Sequence, residues 1–391
     1  MTNLEKAHRL PTVKHPTGML KVAVVGGNGF IGRHFVSKLG KSYKNLDIYS
    51  LDLNRYGTFT DTTGFISTLN QITMDVSAPG NVYTWMLAHK PDVVVFMAGS
   101  EGPAGGLSPL TTTTTDLQAV VALNRTLDAI NQIPTDYFLY VSSSAVYGNH
   151  GKREVIETSK LKPINHVGQT KVLAEQMVTQ FCESAGQRFG IVRPTEVYGR
   201  HNWIELLDSN KWPGYVAFYV DRVIRHIQNE SIDPMTVLFS PNSLVDVIHV
   251  DNVVDILEQL CVQREEGVHN ISSGNIYKLQ EIISTTIESI QEHPKLPYPE
   301  YKERALISFN KEVRTKISHN LVAPSSRCLE LVPYEDNKYP ILRAFLDDYI
   351  PIRMVEIKEH TDYLKALDRT NILDTTGVYN KGSNYDLQKK D

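Results

Sequence analysis

Cysteine is scarce and scattered: Cys182, Cys261 and Cys328 stand far apart in a chain of 391 residues. An odd, widely spaced trio predicts no disulfide framework and no metal cluster, and it suits a reducing compartment. Long hydrophobic runs are missing as well, so no stretch reaches the length needed to cross a bilayer. The first twenty residues are polar and contain no apolar core of signal-peptide length. The expectation is a cytoplasmic protein with no membrane role. There is no basic excess either. With 40 Lys and Arg against 44 Asp and Glu, the net charge is −4. Such a chain lacks the positive field of a general nucleic-acid binder, and no nucleic-acid partner is expected. No internal repeat is visible. What remains is an ordinary globular composition, 41% hydrophobic and 21% charged, long enough for a large core.

The informative stretch is Lys21 to Gly32, Lys-Val-Ala-Val-Val-Gly-Gly-Asn-Gly-Phe-Ile-Gly. An apolar strand, Val22 to Val25, breaks into a glycine turn. A helical pattern then begins at Arg33 and carries Phe35, Val36 and Leu39. Glycines let a backbone turn sharply and approach a pyrophosphate, and the helix N-terminus offers N–H groups and a positive dipole end. Gly26, Gly29 and Gly32, with Phe30 and Ile31 between the last two, are the expected phosphate cradle. A second strand, Leu46 to Leu51, ends at Asp52, twenty positions after Gly32. That is the distance at which a dinucleotide fold places its ribose-binding acid. A carboxylate there accepts from both ribose hydroxyls and repels a 2′-phosphate, which favours NAD over NADP, although Arg55 lies near. A turn acid at a strand end is the alternative for Asp52.

The alternation continues. Strands are read at Gln71–Val76, Asp92–Met97, Tyr137–Val141 and Phe189–Val192, and helices at Val82–His89, Asp116–Ile130 and Gly168–Ser184. This rhythm predicts an α/β chain with a doubly wound parallel sheet of Rossmann type, helices on both faces, and a smaller C-terminal substrate domain. Asp75 and Val76 are placed to reach an adenine. Ala98 and Gly99 open a glycine-rich loop, with Glu101 on it, at the carboxyl edge where such sheets bind ligands. Further on, Tyr215–Gln228, Asp251–Val262 and Leu279–Gln291 read as helices. Thr236–Phe239, Val245–Val250 and Gly267–Ser272 read as strands. Proline-punctuated, mixed sequence follows from Tyr301 to Ile352. The expected division is an arm over 1–19, a dinucleotide domain over 20–200 plus 236–262, a smaller domain over 201–235 plus 263–358, and a disordered polar tail over 359–391.

Five motifs in order resemble the extended short-chain dehydrogenase/reductases, the NAD-dependent epimerase/dehydratase family. They are Val-Gly-Gly-Asn-Gly-Phe-Ile-Gly (25–32), Val-Ser-Ser-Ser-Ala-Val-Tyr-Gly (141–148), Arg-Pro-Thr-Glu-Val-Tyr-Gly (193–199), Asp-Val-Ile-His-Val-Asp-Asn-Val-Val (246–254) and Gly-Val-His-Asn-Ile-Ser-Ser-Gly (267–274). The resemblance implies an oxidoreductase or epimerase acting on a nucleotide-sugar-like, polyol or keto metabolite. It also implies a homodimer through the helices Asp116–Ile130 and Gly168–Ser184. By the same match, Ser143 orients the substrate oxygen and Lys171 binds the nicotinamide ribose. The family's acid/base tyrosine belongs four residues before that lysine, and Val167 stands there. Valine carries no proton. His166, Glu101, Tyr147 or a water held by Ser143 and Lys171 are the candidate replacements, with His166 expected more as a surface or capping residue. Glu196 replaces an amide that faces the sugar in the family, and Val245 replaces a diphosphate-binding arginine. The Thr-Asp-Glu of the 4,6-dehydratases is missing as well. Two rival readings follow: a cofactor-binding regulatory or scaffold protein without catalysis, and a lyase or isomerase that does not need the tyrosine.

Overall fold

The computed structural model describes residues 20–53, 62–99, 114–150, 154–200, 214–228, 235–236, 241–304, 309–310, 321–323, 325–332 and 342–369. The first half runs β1 Leu20–Val25, α1 Phe30–Ser42, β2 Leu46–Asp52, β3 Thr68–Thr73, α2 Asn81–His89, β4 Val93–Phe96, α3 Thr114–Gln132 and β5 Tyr137–Val141. A 3-10 turn, Ser144–Tyr147, and the short β6 Glu154–Val155 lead to α4 His166–Ala185, β7 Phe189–Pro194 and β8 Glu196–Tyr198. Then come α5 Tyr215–Gln228, β9 Met235–Thr236, β10 Leu244–His249, α6 Val250–Gln263, β11 Gly267–Ile271, β12 Ile276–Lys278 and α7 Leu279–Glu292. The last elements are α8 Tyr301–Arg304, β13 Phe309–Asn310, β14 Leu321–Val322, α9 Ser326–Leu331 and α10 Leu342–Arg369.

Seven strands form the main sheet in the order β11-β7-β5-β4-β1-β2-β3, and every pairing in it is parallel. The order of strands reverses between β1 and β4, which leaves a crevice at their carboxyl ends. Helices cover both faces, so the central strands are apolar on both sides. In β1, Val22 and Val24 pack toward α1 and α6 with Phe35 and Leu39. Ala23 and Val25 pack the other way, with Trp85, Leu123 and Val178 of α2, α3 and α4. A separate sheet, β12-β10-β8, carries a second core with α5, α7 and α10, built on Val216, Tyr219, Val223, Ile282, Leu346 and Ile350.

The Rossmann-type expectation holds, with corrections at particular elements. The strand Gly267–Ile271 is not part of the smaller domain, where its place in the chain puts it. It completes the main sheet, pairing Gly267↔Gly190 through Ile271↔Pro194. The strand Leu244–His249, expected in the dinucleotide domain, lies in the three-stranded sheet, between β8 and β12. β3 ends at Thr73, so Asp75 and Val76 follow it in a turn; the half-exposed edge strand lacks the apolar run that marks its neighbours. The tail does not start at 359, because α10 is helical to Arg369 with Pro351 inside it. A proline within an apolar pattern normally signals a break, and here tertiary packing of Tyr349, Ile350, Met354 and Ile357 overrides it. The expected arm at 1–19, the rest of the tail at 370–391, residues 237–239 of the expected strand, Arg55 and Glu101 lie outside the described residues. Among the described residues no helix is long and apolar enough to cross a membrane, and no cluster of metal-ligating side chains occurs.

Candidate active site

The glycine turn closes β1 onto α1. Gly26 has φ +88°, and a Cβ there would stand 2.7 Å from the Ala98 nitrogen at the end of β4. A Cβ at Gly32 would overlap the Gly26 carbonyl. These two glycines let backbone pack on backbone. Gly29 differs. Its φ is an ordinary −69° and no side chain caps α1, whose N-cap it is. A Cβ at Gly29 meets only the Gly26 carbonyl, at 3.3 Å. The outer side of the turn is therefore open, next to a helix N-terminus with its positive dipole end, which is the environment a pyrophosphate needs. Phe30 and Ile31 form the first turn of that helix. The residues present fit a dinucleotide.

Asp52 ends β2 beside this turn. Its carboxylate accepts from the Asn28 N–H at 3.0 Å and from the Leu53 N–H at 2.7 Å. Arg33 donates to the Asn28 carbonyl at 2.7 Å; burial lowers its pKa, while the nearby Asp52 charge opposes that shift. Asp52 thus braces the turn that a ribose would approach. Asp75 is committed locally, accepting from the Ser77 N–H at 2.9 Å and the Ser77 hydroxyl at 2.6 Å. Val76 beside it is buried.

A small cleft lies between α3 and α4, above the ends of β4 and β5. Ala98, Gly99, Tyr140, Val167, Thr170 and Lys171 are among its lining residues. Asn165 caps α4, accepting from the Gly168 N–H at 2.8 Å. Val167 and Lys171 are one helical turn apart, on one face, and both line the cleft. Lys171 Nζ donates to the Val141 carbonyl at 3.0 Å and sits 5.3 Å from the centre of the Tyr140 ring. Ser143, two residues beyond Val141, accepts from the Ala145 N–H at 3.2 Å and caps the 3-10 turn.

Three further candidate site residues are engaged or buried away from the cleft's lining. The Tyr147 hydroxyl donates to Asn270 Oδ1 at 2.6 Å and accepts from Arg193 at 2.9 Å, fully buried. Its pKa is raised by burial, which the Arg193 charge only partly offsets. His166 is buried at the start of α4, so the surface or capping role expected for it is corrected; Asn165 makes the cap. Glu196 accepts from the Tyr215 N–H at 2.5 Å, holding the start of α5, where a carboxylate complements the helix dipole. Side-chain spacing did not reveal these attachments. Nor did it single out Tyr140 and Thr170 as cleft residues, or Glu175 and Arg193 beneath them.

Burial pushes the Asp246 carboxyl up to about 7, against the stabilising Ser272 hydroxyl, which donates to it at 2.9 Å. The folded chain therefore holds a proton that the unfolded chain has lost, so this group's contribution falls as pH rises from about 4 through about 7. His249 works in the opposite direction, since burial lowers its pKa to about 4. Asp246→Asn separates the two. Relative to the unaltered chain it gains stability between pH 5 and pH 8, by roughly 3 kcal/mol. Urea unfolding at the two pH values checks this, and an unchanged difference refutes it.

Several known proteins are similar to this chain in sequence or in fold. A dTDP-D-glucose 4,6-dehydratase of Homo sapiens is 28% identical over 204 residues, 49% of this chain and 55% of that protein. The chain thus spans little more than half the length of that relative. A GDP-6-deoxy-D-talose 4-dehydrogenase of Aggregatibacter actinomycetemcomitans is 23% identical over 339 residues, 86% of this chain and 99% of that one. In fold, the chain is similar to the UDP-glucose 4-epimerase of Thermus thermophilus in complex with NAD. That similarity has a TM-score of 0.65 at 19% identity, covering 84% of this chain and 99% of the other. The dTDP-glucose 4,6-dehydratase of Bacillus anthracis str. Ames in complex with NAD gives a TM-score of 0.66 at 16% identity, covering 87% and 98%. A family model matches residues 22–300, well over half the chain, and on that ground the chain belongs to the NAD dependent epimerase/dehydratase family.

Proposed function

We propose that this chain is an NAD-dependent oxidoreductase or epimerase acting on a sugar-nucleotide-like or other polyol or keto metabolite, with an acid/base step that does not use a tyrosine on α4. The observation that carries the reading is the shared face of α4, where Lys171 and Val167 line one cleft with Ala98 and Gly99. NAD, when bound, supplies the hydride chemistry. Gly26, Gly29 and Gly32 shape the pyrophosphate cradle, and Asp52 faces the adenosine ribose and disfavours a 2′-phosphate. Lys171 holds the nicotinamide ribose, and Ser143 orients the substrate oxygen. Tyr147, His166 and Glu196 are engaged in structural bonds or buried, which favours a water held between Ser143 and Lys171 as the proton carrier. Asp75 and Val76 border the adenine end. With Val245 buried in place of an arginine, the substrate need not carry a diphosphate. A cytoplasmic setting suits this chemistry.

Turnover tests the roles. The purified chain is assayed with NAD(H) against a panel of sugar nucleotides and keto compounds, alongside Ser143→Ala and Lys171→Ala. Activity that survives both substitutions overturns the assignment. Gly29→Val crowds the Gly26 carbonyl, 3.3 Å from the Cβ position, and weakens NAD(H) binding at least about tenfold, or 1.4 kcal/mol, with the urea midpoint checking that the fold is kept; calorimetry reads this directly, and unchanged binding removes the cradle. Val167 favours a second reading, cofactor binding without turnover, and persistent NAD(H) binding with no product across the panel selects it. The proposed assembly is a homodimer through α3 and α4, on which Leu117, Val121 and Leu173 are exposed. Leu173→Glu then sediments as a monomer where the unaltered chain sediments as a dimer.

A further inference from the structure

Beneath the cleft lies a charged group that takes no direct part in the proposed chemistry. Glu175, one turn beyond Lys171 on α4, is 5% exposed. Its Oε1 accepts from the Ser142 hydroxyl at 2.5 Å. Arg193 of β7 forks onto the same carboxylate, Nε to Oε1 at 3.0 Å and Nη2 to Oε2 at 2.6 Å. Arg193 also donates to the Tyr147 hydroxyl at 2.9 Å and to the Glu157 carbonyl at 3.0 Å. Asn270 of β11 closes the group, receiving Tyr147 and donating its N–H to Glu157 at 3.0 Å.

Two of these bonds form a closed circuit. Lys171 donates to the Val141 carbonyl. The next residue, Ser142, donates to Glu175, and Glu175 lies one turn from Lys171 on the same helix. The end of β5 and the face of α4 are thereby tied at two successive points, with Ser143 the next residue along. Burying an ion pair is a poor way to gain stability, because desolvation offsets most of the attraction. Its best-attested return is registry, one fixed arrangement of the elements that carry it.

We propose that Glu175 and Arg193 are positioning residues: through Ser142 they set the place of Lys171 and Ser143 relative to the nicotinamide ribose. This rests on the reading of α4 as the cofactor-facing helix. The inference predicts an effect confined to the nicotinamide half of the cofactor, since the adenosine half is held by the separate turn at Gly29 and Asp52.

Calorimetry with NADH and with ADP, which lacks the nicotinamide riboside, makes the test. In Ser142→Ala and in Glu175→Gln the NADH dissociation constant rises about tenfold while that of ADP moves less than about twofold, as expected of misplacing a positioned group by a fraction of an ångström. A merely structural role lowers the urea midpoint and weakens both ligands together, and that result overturns the proposal. Unchanged NADH binding overturns it too. If Glu175→Gln does not fold, Ser142→Ala carries the comparison, because it leaves the ion pair intact. Failure of the unaltered chain to bind either ligand refutes the cofactor reading itself, and the proposal falls with it.

Discussion

Val167→Tyr raises turnover by about 10²–10⁴-fold, the usual worth of a matched general acid or base. The expectation follows from position. Val167 lies on the cleft one turn before Lys171, so a phenol there projects along the same helix face. The Lys171 ammonium beside it would draw its pKa down toward the working range. Steady-state kinetics on whichever substrate the unaltered chain converts, with NADH binding measured in parallel, decides the matter. A variant that binds NADH as before and turns over no faster shows that proton transfer does not use this face of α4. The cofactor-without-turnover reading makes a sharper form of the same prediction, with activity appearing where there was none.

Asp221→Ala costs the smaller core about 3–5 kcal/mol, the typical result of stranding one member of a buried ion pair. Arg353 of α10 reaches Asp221 of α5 through Nη2 at 2.7 Å and Nε at 3.1 Å, and both side chains are largely buried. Arg225 approaches the other carboxylate oxygen at 2.6 Å. Removing the carboxylate takes a charged partner from the buried Arg353 guanidinium, which keeps Glu356 at 3.0 Å. Urea unfolding measures the loss, which falls on the unit formed by α5, α7 and α10. A change below about 1 kcal/mol, the worth of an exposed pair, would show that this bond does not hold α10 in place.

These two sites also mark where sequence reading succeeds and where it stops. Val167 is legible because it is defined by spacing: four residues from a lysine, in a pattern whose neighbouring motifs fix the register. The same holds for Gly26, Gly29 and Gly32 and for the apolar runs of β1, β4 and β5, whose burial on both faces leaves a continuous signal. Asp221 and Arg353 are 132 residues apart, and nothing local in either segment marks the other. Glu196 presents the same difficulty. A carboxylate in a motif reads as a ligand, yet what it binds is the start of α5, brought to it by the chain's return. His166 reads as a surface or capping residue on a polar stretch, but it is buried at the start of α4.

The sequence by itself determined the glycine turn, the alternation of strand and helix, and the valine four residues before Lys171, because each is written within a single helical turn or one strand–turn–helix unit. Tertiary structure alone decided that β11 closes the main sheet, that α10 continues through Pro351, and that Glu175 meets Ser142 and Arg193. Those outcomes depend on which surfaces meet when distant segments collapse together, where packing and the pairing of buried polar groups outweigh local preference.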